Sequence, residues 1–247
     1  MNCKLEICVD SIESALNAQS AGASRVEYCD NLIEGGTTPS YGSIVAARNN
    51  LTIGLHVIIR PRGGDFLYSV IEYDIMRRDI EMCGECGVDG IVTGILLEGG
   101  NIDVDRTARL FEFAHPMSAT FHRAFDLCND PVRGLEDVID TGAERLLTSG
   151  LRNSARDGIE MIRSLVVQAA DRIIIMPGGG IDESNVATIV TATKVSEIHL
   201  TARSPVDSGM IFRRQGINMG IKGLPEFSRK VADTDRIKKI AGILKMI

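Results

Sequence analysis

Two short stretches carry the same chemically useful pair: Glu6-x-Cys8 in "KLEICV" and Glu27-x-Cys29 in "RVEYC". Thiolates are soft donors suited to soft metal ions. Carboxylates beside them can move protons. A second set is cationic. "IIRPRGGDF" places Arg60 and Arg62 on either side of Pro61, and "TFHRAFD" and "HLTAR" add Arg123 and Arg203. Guanidinium forks bind carboxylate or phosphate through two hydrogen bonds. Gly178, Gly179 and Gly180 in "MPGGG" add a turn whose amides can approach an anion. His122 and Asp126 lie in the same "TFHRAFD" segment. With Glu6 and Glu27 they form a candidate acid–base set, should the site turn over a substrate. The competing reading pairs the arginines with Glu6, Glu27, Asp65 and Asp126 as a structural network.

The elements that hold these residues follow from periodicity. Short β-branched runs alternate with longer helical patterns along the chain. Eight strands and eight helices in strict alternation, roughly 31 residues per unit, fit a single α/β domain folded as a (β/α)8 TIM barrel. A doubly wound sheet would show G-x-G-x-x-G after its first strand, where this chain has "CVDSIE". Side chains alternate along a strand, so Leu5, Ile7 and Val9 should meet the helices. Glu6, Cys8, Glu27 and Cys29 then face the interior, with the two Glu-x-Cys pairs at equal height. His56, Ile58, Arg60, Thr93, Thr120, His122, Thr148, Glu197 and His199 are expected inside as well. Arg60, Arg62, Arg123 and Arg203 all fall at C-terminal strand ends, where this fold keeps its sites. That placement favours a small anionic, phosphorylated ligand. The helix after strand six is expected over 154–169. The next is expected over 182–193, with Asp182 as its cap.

Composition removes several function classes. The 247 residues carry a net charge of −6 and no basic tract, which argues against nucleic acid. No run approaches the ~18 apolar residues of a membrane span. "MNCKLEICV" lacks the apolar core of a signal peptide. Six cysteines in such a chain read as thiols of a reducing cytoplasm. No lysine ends a barrel strand, which disfavours Schiff-base chemistry. Residues 204–232 form a long connection without clear periodicity, expected to be irregular and to cover the mouth or reach a second subunit.

"LEICVDSIESALNAQSAGASRVEYC", "EGGTTPSYG", "IIRPRGGDF", "VTG", "TFHRAFD", "LTSG" and "EIHLTAR", in this order, resemble the CutC copper homeostasis family. The resemblance covers nearly the whole chain. It implies a cytoplasmic barrel, a homodimer or larger assembly, and a role in handling copper. Carried over by motif, the copper ligands fall on Cys8 and Cys29, with Cu(I) as the ion.

Overall fold

A computed structural model describes residues 3–247. Eight parallel strands line the centre: β1 (Lys4–Val9), β2 (Arg25–Tyr28), β3 (Gly54–Ile58), β4 (Gly90–Thr93), β5 (Ser118–Phe121), β6 (Arg145–Thr148), β7 (Ile174–Pro177) and β8 (Glu197–Leu200). They pair in the order β7-β6-β5-β4-β3-β2-β1-β8. Around them lie α1 (Ile12–Ser20), α2 (Tyr41–Asn50), α3 (Val70–Glu85), α4 (Val104–Ala114), α5 (Pro131–Asp140), α6 (Ile159–Ala169), α7 (Val186–Thr193) and α8 (Thr234–Leu244). This is the expected (β/α)8 barrel.

Local chemistry sets the helix starts. Ser69 and Glu72 form a reciprocal capping box at α3, each accepting the other's backbone N–H. Asp130 caps α5, and Pro131 fills the first-turn position where its missing N–H loses no bond. Two helices begin later than expected. Ser154 instead caps an isolated turn, with its Oγ accepting from Asp157 N, so α6 waits until Ile159. Asp182 Oδ1 accepts from Ser184 N, and the capping position of α7 passes to Asn185.

The apolar core fills the space between sheet and helices. Ile7, Val9, Val26, Tyr28, Leu55, Val57 and Ile91 point outward into it and are buried. Two inward assignments change. Gly90 faces the His56 ring, so alternation turns Val92 inward and Thr93 outward, where its hydroxyl donates to Ile59 O. In β6, Arg145 and Leu147 face inward, while Thr148 donates to Asp126 Oδ1 outside.

The register also differs from equal height. Glu6 pairs with Arg25 and Cys8 with Glu27. A closed barrel must stagger neighbouring strands by its shear, so β2 sits two residues out of step with β1. One seam carries no ladder among the described residues, between β7 and β8. Gly178 N donates to Thr148 O and Ile174 N to Glu144 O. Alternation therefore turns residues 175 and 177 toward β8, and Pro177 has no N–H to give.

Residues 204–232 are not irregular throughout. β9 (Arg203–Asp207) and β10 (Ser228–Ala232) form an antiparallel hairpin. Its tip carries the exposed Ile211, Phe212 and Met219. The charges and proline of "RSPVD" and "SRKVA" hide the strand signal.

Candidate metal centre and barrel mouth

The barrel interior is a ladder of charge. At its base Glu197 Oε2 accepts from Arg25 Nη2 at 2.7 Å and from Arg145 Nε at 2.9 Å. Arg25 Nε also donates to Glu6 Oε2. Glu6 Oε1 lies 2.7 Å from His199 Nδ1, and His199 Nε2 lies 3.6 Å from Glu27 Oε2. All six side chains are buried. Each guanidinium here has a carboxylate, which is the condition for burying such charge.

Above the ladder sit the thiols. Cys8 Sγ and Cys29 Sγ are 3.6 Å apart despite the register offset. The offset lets Cys29, one layer higher on β2, lean over Cys8. Glu27 completes a group whose donor atoms lie within 4.8 Å of one another. The hydrogen bond from Cys29, with His199 beside it, brings the Cys8 thiol down to about 5 against the effect of burial. Burial and that same bond push the Cys29 thiol well up. Burial and the Cys8 charge push the Glu27 carboxyl well above its usual range. Burial works against charge on His199, but hydrogen bonds to Cys8 and Glu6 and the nearby carboxylates hold its pKa well above the usual imidazole value. The two sulfurs are thus pushed apart in charge, Cys8 toward the thiolate and Cys29 toward the thiol. The arginines are not what lowers the thiol.

Above the thiols opens a cavity of about 250 Å³, lined by Cys8, Glu27, Arg60, His122, Arg123, Gly179, Gly180, His199 and Arg203 among others. The ring of arginines expected at the mouth is better partnered than the sequence suggests. Arg60 is buried and donates to the carbonyls of Glu34, Gly36 and Gly64, at 2.7–2.8 Å. Arg123 donates to Asp126 and Ser149, and Arg203 to Asp10. Arg62 leaves the cavity altogether, pairing with Glu72 and Asp65 along a separate outer groove. Gly178 is held by its bond to Thr148 O, and only Gly179 and Gly180 of the glycine turn line the cavity.

The shared acid–base set also breaks up. Asp126 accepts from Thr148, Ser149, Leu151 and Arg123. It is a clamp between two loops and makes no bond to His122. Sequence reasoning also missed Arg25 and Arg145. Arg25 stands at i−2 from the expected inward Glu27, so alternation carried its signal. Arg145 shares a face with Leu147, which the expectation of an inward Thr148 turns outward.

His122 Nδ1 accepts from Ala124 N at 3.3 Å, which leaves the proton on Nε2. Nε2 is buried without a partner, as is His56 Nδ1. Burial lowers the His56 pKa from 6.5 to about 4. Burial and the Arg60 charge lower that of His122 to about 3. Both rings are neutral in the fold and bind protons more readily when unfolded. Their contribution to stability is therefore present above about pH 6.5 and lost as pH falls through these values. The urea midpoint is expected to drop steadily from neutrality toward pH 4, with a flatter profile in His122→Gln. Equal slopes in both proteins would contradict this account.

The CutC family model matches residues 3–204. The chain belongs to the CutC family. A CutC family protein of Chromobacterium violaceum is 48% identical over 236 residues, covering 96% of each chain. The human copper homeostasis protein cutC homolog is 45% identical over 244 residues, covering 98% of this chain and 89% of that one. A crystal structure of CutC from Streptococcus agalactiae, 36% identical, superposes with a TM-score of 0.77. It covers 81% of this chain and 98% of its own. This CutC-family chain has no helix long and apolar enough to cross a membrane among its described residues.

Proposed function

We propose that this chain serves copper homeostasis by binding one Cu(I) ion on Cys8 and Cys29, in a reducing cytoplasm. The observation that carries the reading is the buried sulfur pair, 3.6 Å apart, of which Cys8 lines the mouth cavity. The donor set fits the ion. Two thiolates are soft ligands, and the lowered pKa of Cys8 favours its thiolate. The spacing is informative too. Two metal–sulfur bonds of about 2.3 Å, as in zinc thiolates, would span roughly 4.6 Å in line. The sulfurs at 3.6 Å are closer than that, and Glu27 is the further residue near both. Bound copper would supply a compact cation that replaces the proton on Cys29. The chain's own part is to hold two sulfurs and a carboxyl within reach of one another across two layers and to keep bulk water off them. His199 and Glu6 orient the set from below.

The name of the human relative, a copper homeostasis protein, supports the assignment. Anaerobic competition against a Cu(I) chelator tests it. The reduced protein is expected to take one equivalent. Cys8→Ser/Cys29→Ser is expected to take none, with an unchanged circular dichroism spectrum as the folding control. Retention of one equivalent in the variant would move copper to another site.

A further inference from the structure

Of the two thiols only Cys8 lines the cavity, at its floor, and the far wall has a different chemistry. The amides of Gly179, Gly180 and Ile181 donate no hydrogen bond among the described residues. All three residues line the cavity. Gly179 and Gly180 have φ of +96° and +67°, and successive free amides in such a turn make a concavity for anions. A Cβ on Gly179 would lie 3.4 Å from Arg123 Nη1, so the guanidinium stands against this turn. Arg203 lines the same wall, tied by one nitrogen to Asp10. Arg60 brings a buried charge with no carboxylate within 4.0 Å of its nitrogens among the described residues. Across the cavity His122 offers its unpartnered Nε2–H.

We propose that this wall binds the phosphate group of a small phosphorylated metabolite, on the amides of residues 179–181 between Arg123 and Arg203, with the body of the ligand reaching toward His122. Amide donors and guanidinium groups around one concavity match a tetrahedral oxyanion. The volume of about 250 Å³ limits the ligand to a few carbons beyond its phosphate. The site is separate from the thiol pair, and neither reading depends on the other.

The test uses the full, metal-free chain labelled with 15N-glycine and titrated with inorganic phosphate and with glycerol 3-phosphate. Saturable movement of the Gly179 and Gly180 amide peaks is expected, with Gly22 and Gly142 at the opposite end of the barrel unmoved. Glycerol 3-phosphate should bind more tightly than inorganic phosphate. Arg203→Gln should weaken binding about tenfold. Asp10→Asn, which frees Arg203 from its partner, should tighten it. Cys8→Ser/Cys29→Ser should bind phosphate as the parent does, which separates this test from that of copper. Unmoved Gly179 and Gly180 peaks, equal affinity for both probes, or indifference to Arg203→Gln would overturn the proposal.

Discussion

Glu197→Ala is expected to lower the free energy of unfolding by about 3–5 kcal/mol. The carboxylate serves two guanidinium groups at once, Arg25 Nη2 at 2.7 Å and Arg145 Nε at 2.9 Å. Both arginines are buried, so water cannot replace the lost partner. Glu6 already serves Arg25 and His199 and cannot reach Arg145 as well. Alanine would therefore leave Arg145 with only Ser118 and the exposed Glu144. Glu197→Gln keeps an acceptor and should cost less. By contrast Glu160→Ala removes a pair between two exposed side chains, and such pairs contribute little. Urea unfolding of the three variants checks the order. A loss below about 1 kcal/mol for Glu197→Ala would mean that the two arginines find other partners.

Cys8 is expected to be alkylated by iodoacetamide with a half-point near pH 5 and a flat rate above it. Cys86, partly exposed and with its pKa raised by burial, should react faster only at high pH. At pH 6 an ordinary thiol is roughly one three-hundredth ionised, whereas Cys8 would be mostly thiolate. A thiolate of low pKa is also a weaker nucleophile. The shape of the profile is therefore a surer reading than its height. Cys29→Ala removes the partner of that hydrogen bond and should move the half-point upward by about two pH units, leaving an about tenfold smaller thiolate fraction at pH 6. Mass spectrometry of the alkylated peptides follows each site. A Cys8 half-point left in place by Cys29→Ala would show that His199 alone sets it. The same shift links to folding. A depressed thiol pKa stabilises the fold increasingly from about pH 5 to pH 9, and that contribution is gone below about 5.

Much of this was legible in the chain. The alternation of β-branched runs and helical patterns gave the barrel, and the i, i+2 spacing placed Glu6, Cys8, Glu27 and Cys29 inside. What escaped depends on closure. Equal heights for Cys8 and Cys29 would hold in a flat sheet, but the shear pairs Cys8 with Glu27, and nothing within either strand encodes that step. Thr93 and Thr148 were turned the wrong way because "GIVT" and "RLLT" are apolar on both faces, so period two loses its contrast. Arg25 is the reverse case. Its spacing from Glu27 pointed inward, but an arginine in a barrel floor runs against the expectation of branched apolar residues there. Arg145 was lost with Thr148, whose inward placement turned the Arg145 face outward. The partners of Arg60 are backbone carbonyls, which no side-chain pattern announces.

The missing ladder between β7 and β8 gives the barrel a slit rather than an unbroken wall. Interstrand bonds resist opening at every other junction of the sheet, so thermal opening concentrates along this line. Gly178, the first residue beyond β7, faces Leu147 and His199 there, and the amides of residues 179–181 follow directly. The cavity is thus built into the most yielding generator of the cylinder. A ligand bridging Gly179 and Arg203 would span the slit like a rivet, stiffening the wall that the backbone leaves unstitched.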